Sequence, residues 1–188
     1  MFKMVLLFLL MFNSAYSCAL CGNKTSFVQA SIQAYISDDS LQKVHVLWQF
    51  GASTSAGIAS IYHMEKQMRP DDLKKIYESF EQYQRPPFMT LLSINEEKIS
   101  LKIENFAIFM DSGHLHIEFD IPLSYSLRNH DTIEIVFFDP AQTMIFLENL
   151  DDTRIINTTS YKIRKDNGIK VIKEVMATTN YIKLEVEQ

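Results

Sequence analysis

The sequence predicts an α+β domain in which antiparallel, sandwich-like β-sheets are accompanied by two helices inserted after the first hairpin. Two observations lead to this prediction. Apolar and polar residues alternate over most of the 188-residue chain, whereas spacings of three and four are confined to residues 56–83. The resulting order, two strands, two helices and then many strands, is typical of an α+β fold.

The first hairpin is predicted from two alternating runs separated by a polar turn. In residues 25–37 every second position is apolar, and in residues 41–50 the alternating positions include Val44, Val46 and Trp48. Asp38-Asp39-Ser40 between the runs has the composition of a tight turn.

Two helices are predicted next. The first covers residues 56–68, where Met64 and Met68 are four apart and share a face; they either fill the core or form a soft thioether site. The second starts at Pro70, which is followed by two acidic residues suited to the positive end of the helix dipole. Its apolar residues recur at spacings of three and four until Pro86 ends it.

Period-two alternation returns after residue 88 and continues to the end of the chain. Asn167-Gly168 predicts a hairpin turn, because both residues tolerate a positive φ. The predicted strands cover residues 88–94, 99–110, 114–123, 132–138, 143–147, 160–164, 169–175 and 181–186.

The N-terminal residues resemble an export signal. Lys3 precedes an apolar run over residues 5–12, and the small residues Ala15 and Ser17 stand at the −3 and −1 positions of a cut before Cys18. We therefore expect residues 1–17 to be a signal peptide and residues 18–188 to be one exported domain. A lipoprotein signal is the alternative, in which Cys18 carries a lipid anchor.

Cys18 and Cys21 form a Cys-x-x-Cys pair directly after the predicted cut. Two thiolates at this spacing can hold a soft metal ion such as zinc or copper. A disulfide, a lipid anchor on Cys18 or a thiol–disulfide redox role are alternatives that the spacing leaves open.

A second candidate metal site lies in residues 114–120. On a strand, His114, His116, Glu118 and Asp120 share one face, and imidazole with carboxylate suits zinc, nickel or copper. The alternative is a solvated polar face opposite an apolar one, as any half-buried strand shows.

Composition excludes several classes of function. The formal net charge of −5 argues against a nucleic-acid partner. No segment after the signal reaches the 18 apolar residues typical of a transmembrane helix, so we expect no membrane span in the mature chain. The sequence also lacks the nucleophile-elbow, phosphate-loop, zinc-protease and dinucleotide motifs, and we expect a non-enzymatic protein.

Two short motifs resemble those of a known family. They are Trp48-Gln49-Phe50, at the end of the second predicted strand, and Phe138-Asp139-Pro140, at the end of a later one. Over residues 25–150 the chain resembles an uncharacterised bacterial family of exported proteins, described as periplasmic components of transport systems. Their genes often lie beside nickel/cobalt-type or zinc transporter genes. The resemblance implies a periplasmic accessory role in transition-metal transport, with an inner-membrane metal transporter as partner.

The chain departs from that family pattern in three places. Cys18-Ala19-Leu20-Cys21 stands where many members have His-Pro-His, and Gly51 stands where many have Asp. Residues 65–70 replace an acidic, calcium-type loop, and they lack the Asp/Asn spacing that such a loop needs. We therefore expect no calcium site.

Overall fold

The computed structural model describes residues 25–82, 86–172 and 177–187, and these form two packed β-sheets with two helices. The larger sheet contains β1 (Ser26–Ser37), β2 (Ser40–Phe50), β5 (Glu104–Asp111), β6 (His114–Ser126), β8 (Met144–Glu148) and β9 (Arg154–Asn157). The smaller sheet contains β3 (Thr90–Ile94), β4 (Glu97–Lys98), β7 (Thr132–Phe137), β10 (Lys162–Ile172) and β11 (Ala177–Glu187). The helices are α1 (Ala52–Tyr62) and α2 (Pro70–Gln82), and a 3-10 turn occupies Pro87–Met89.

The strand order is β5-β6-β2-β1-β8 in the larger sheet, with β9 also pairing with β1, and β10-β11-β7-β3-β4 in the smaller one. The predicted first hairpin and the two helices after it are confirmed, as is the sandwich-like α+β class. The larger sheet is nevertheless mixed, because β8 and β9 both run parallel to β1.

The core lies between the two sheets and is centred on Trp48, which is fully buried. Its indole ring packs 5.4 Å from Phe119 of the same sheet and 6.0 Å from Phe137 of the other, both edge-on. Phe80 of α2 packs 6.2 Å away. The edge-on contacts join the two sheets, and the tilted contact with Phe80 packs α2 against the same ring.

The prediction of helix α2 is confirmed, with Ile76 and Phe80 on its buried face. The prediction that the first helix continues to Met68 is wrong. It ends at Tyr62, because His63 adopts a left-handed conformation with φ of 50°. The segment that follows attaches to β5 instead, where Met68 N–H donates to Ile108 O at 3.1 Å.

Met64 and Met68 are therefore not on one helix face, and both are buried in the core. The four-residue spacing of these two methionines suggested a helix, but their burial in the core accounts for their apolar side chains. The core-filling alternative agrees with this position.

The predicted hairpin turn at Asn167-Gly168 is wrong. Both residues lie inside β10, a continuous strand whose whole length pairs with β11. Gly168 is needed there for space, since a Cβ at this position would lie 2.5 Å from the hydroxyl oxygen of Tyr181. The aromatic ring covers the glycine, and no reversal of the chain occurs.

Candidate functional site

The outer face of the larger sheet carries a cluster of polar side chains from β2, β5 and β6. We call it the outer-face cluster, and its members are Lys43, His45, Asn105, Glu118 and Asp120. The strand register brings them together, because His45 lies directly opposite Asp120 in the antiparallel β2–β6 pair. Asn105 reaches the same carboxylate from an irregular part of β5, where its φ is 53°.

Asp120 is the centre of the outer-face cluster and is almost fully buried. Its carboxylate accepts hydrogen bonds from His45 Nδ1 at 2.9 Å, Lys43 Nζ at 3.0 Å and Asn105 Nδ2 at 2.8 Å. Burial by itself would raise the pKa of Asp120, but these three donors outweigh it, and the pKa lies below its ordinary value. Asp120 and Lys43 thus form an ion pair in which hydrogen bonds stabilise the ionised carboxylate.

His114 and His116 lie at the start of β6, at alternate positions before Glu118 and Asp120. The Nδ1 atom of His114 lies 2.9 Å from the backbone oxygen of Phe50. If Nδ1 carries the proton and donates it to that oxygen, the Nε2 lone pair remains available. This arrangement is typical of imidazoles that bind metal ions.

The His116 ring stacks on Phe109, with ring centres 5.2 Å apart and planes inclined by 12°. Burial lowers the pKa of His116 below its ordinary value, and this effect exceeds the opposite effect of the Asp111 carboxylate. The lowered pKa favours the neutral imidazole, which is the form that has a lone pair for a ligand.

Within the described ranges, no group of three or more His, Cys, Asp and Glu side chains is arranged to hold a metal ion. The four polar residues of this face of β6 do not form one cluster: Glu118 and Asp120 contact His45, and Glu118 also acts on His116 through its charge. Cys18 and Cys21 lie outside the described residues.

Sequence reasoning missed Lys43, His45 and Asn105 of the outer-face cluster, and the reason is clearest for His45. Its outward position on β2 is readable from the alternation with Val44 and Val46. Its partner is not, because Asp120 lies 75 positions later and only the strand register joins the two.

A second feature is the open edge of β8, the side of this strand on which no further strand pairs in the described ranges. A cleft of about 400 Å³ runs between β8 and the smaller sheet, lined among others by Phe146, Leu147, Ile169 and Asn180. Asp139, at one end of the cleft, is buried, and its carboxylate accepts hydrogen bonds from the backbone N–H groups of Ala141, Thr143 and Met144. Asp139 thus closes a turn, as its place before Pro140 predicts.

The two helices are 11 and 13 residues long, and in the described part of the chain neither has the length and apolarity needed to cross a bilayer. No protein-family model matches the chain, and no curated protein sequence matches it. Among solved structures, the chain is similar to AChBP from Bulinus truncatus, with 7% sequence identity, 93% of each chain covered and a TM-score of 0.53. At this identity the similarity concerns the fold alone, a β-sandwich that both chains share.

Proposed function

We propose that this protein is an exported, non-enzymatic accessory component of a transition-metal transport system, and that His114 and His116 supply imidazole ligands to the transported ion. The observation that carries the proposal is the hydrogen bond between His114 Nδ1 and Phe50 O, which leaves the second ring nitrogen available. His116 lies two residues away on the same strand face, and burial lowers its pKa, which favours the neutral imidazole that a metal ion needs.

Two imidazoles fill half of a tetrahedral zinc or copper site. The Cys18–Cys21 pair, or side chains of the partner, would complete the coordination. An incomplete set of ligands suits a protein that passes an ion to a transporter, because a closed four-ligand site would hold the ion too firmly. The periplasm, and an inner-membrane transporter as partner, are proposed from the resemblance of residues 25–150 to the transport-associated family.

The test is metal analysis of the exported protein after loading with zinc, nickel or copper. The wild type, Cys18→Ala/Cys21→Ala and His114→Ala/His116→Ala are compared. His130→Ala is the matched control, since His130 is an exposed imidazole in a turn. We expect about one equivalent of one ion in the wild type and in the control, and a loss of at least tenfold in affinity in the histidine variant. Equal metal content in the histidine variant and the wild type would contradict the assignment of these two residues.

A lipid-anchored interaction module without metal is the second candidate function. It is favoured by exposed apolar side chains at one edge of the larger sheet, where Phe27, Ile145 and Leu147 are 58%, 41% and 44% exposed. Mass spectrometry of the mature N-terminus distinguishes the two candidates, because a lipidated Cys18 cannot be a thiolate ligand. A thiol–disulfide redox module is the third alternative, and it requires a Cys18–Cys21 disulfide that a dithiol partner reduces reversibly.

A further inference from the structure

The end of the larger sheet at β8 leaves a strip of the smaller sheet uncovered. Lys165 and Asn167 of β10 lie opposite Leu184 and Ile182 of β11, and both β11 side chains are fully buried in the core. Residues opposite one another in a strand pair project to the same face, so this face of β10 points toward the larger sheet.

Ile169 and Val171 continue this inner face of β10, because they follow Asn167 at intervals of two. They are nevertheless 72% and 56% exposed. Two branched apolar side chains on the core-facing side of a sandwich are thus in contact with solvent. The reason is that in the described part of the chain the larger sheet has no strand beyond β8 to cover them.

The edge of β8 has backbone groups available for another strand. Ser26 N–H donates to Thr143 O, and Asn149 N–H donates to Ala30 O, at the two ends of the parallel β1–β8 pair. In a parallel pair, alternate residues direct their backbone groups at the neighbouring strand. The odd-numbered residues of β8 therefore face β1, and Phe146 presents its N–H and C=O at the open edge.

Glu148 supplies a polar group beside this edge. Its Oε1 atom is buried and has no hydrogen-bond partner among the residues that the structure describes, while Asn180 interacts with the carboxyl group. Burial is the main cause that raises the pKa of Glu148. A buried acceptor without a donor is unfavourable, and a charged or N–H donor from a ligand would relieve it.

We propose that the open edge of β8 receives an extended peptide segment of a partner protein, which adds a strand to the larger sheet and places a basic side chain against Glu148. The occupant is identified by two complementary features. Its inward side chains next to Ile169 and Val171 must be apolar, and the one beside Glu148 must donate a hydrogen bond. This is strand addition, in which backbone hydrogen bonds give affinity and alternate side chains give specificity. It does not depend on the proposed metal binding.

The first measurement is binding of a blocked seven-residue peptide with lysine at its centre, valine two residues away on each side and threonine elsewhere. A matched peptide has glutamate in place of the lysine. We expect the lysine peptide to bind at least about tenfold more tightly, as a charge-assisted hydrogen bond predicts. In Glu148→Gln the two peptides should bind with affinities within about threefold of each other.

The second measurement places the peptide on the protein. Hydrogen exchange of the Phe146 amide should slow in the presence of the lysine peptide, because that N–H then takes part in a strand pair. Ile169→Ser should weaken binding, whereas Ile61→Ser should not, since Ile61 is a similarly exposed side chain on α1.

Three results would overturn the proposal. Absence of binding by both peptides at millimolar concentration would exclude strand addition by a segment of this chemistry. Equal binding of the lysine and glutamate peptides to the wild type would remove Glu148 from the recognition. Self-association of the protein that protects the Phe146 amide without any peptide would show that a second copy occupies the edge, in which case Glu148→Leu should strengthen that association.

Discussion

The Nδ1 atom of His45 lies 2.9 Å from Oδ1 of Asp120, across the β2–β6 pair. Lys43 and Asn105 donate to the other carboxylate oxygen, so one buried acid on β6 accepts from donors on two other strands, β2 and β5. The outer-face cluster therefore joins β2, β5 and β6 by polar contacts on the side of the sheet that the apolar core does not reach.

Replacing Asp120 by alanine should lower the free energy of unfolding by about 2–4 kcal/mol, because three donors lose their common acceptor. Urea unfolding of the wild type and the variant measures this difference. Asp151→Ala, which removes an exposed carboxylate from a turn, is the control and should cost at most about 0.5 kcal/mol. A cost for Asp120→Ala as small as that of the control would show that the cluster contributes nothing to stability.

The same carboxylate makes stability depend on pH. The pKa of Asp120 in the folded protein lies below its ordinary value, so the folded state favours the ionised form. This contribution is complete above the unfolded-state pKa of about 4 and is lost as the pH falls through the folded-state value. Asp120→Asn removes the titration, and the stability difference between wild type and variant should shrink as the pH falls from about 5 towards 2. A difference that stays constant over this range would contradict the assignment.

The pKa of His116 should respond to its neighbour Phe109. Burial lowers this pKa, and the stacked phenyl ring contributes to the burial. An NMR titration should place the pKa of His116 below about 6.5, and Phe109→Ala should raise it because water reaches the imidazole. Phe27→Ala removes a ring from the same sheet face and should leave the pKa of His116 unchanged. If the pKa of His116 is the same in Phe109→Ala as in the wild type, Phe109 does not cause the burial that lowers this pKa.

Gly168→Ala should lower stability by about 1 kcal/mol, although alanine is ordinarily preferred to glycine inside a strand by about 0.5–1 kcal/mol. The reason is the Tyr181 ring, three atoms of which lie within 2.8 Å of the added Cβ. In a Tyr181→Thr background the same substitution should become neutral or stabilising. Thermal unfolding of the four proteins in this double-mutant cycle gives the interaction, and equal effects in both backgrounds would show that the ring has no part in it.

Much of the fold is readable from the sequence where one face of an element is buried. The alternation in residues 41–50 predicts β2 because Val44, Val46 and Trp48 face the core, and the three–four spacing predicts α2 because Ile76 and Phe80 do. In both elements, local periodicity and tertiary burial coincide.

The remaining features depend on contacts between distant residues. β9 has only four residues, all of which pair with β1, and Asn167-Gly168 lies in a strand that pairs with β11 over its whole length. For the candidate site, the shared face of His114 and His116 was predictable from their spacing. The interaction of Asp120 with His45 was not, because a sequence pattern contains no strand register.

β1 lies between a neighbour that follows it directly in the chain and two others that come more than a hundred positions later. It pairs with β2 through a short turn, whereas Ser26 must meet Met144 and Gln33 must meet Arg154. Loop closure over such separations is slow compared with hairpin formation. Within the described strands, one side of β1 thus stays unpaired until residues 144–157 have been synthesised, and completion of the larger sheet is expected among the late steps of folding.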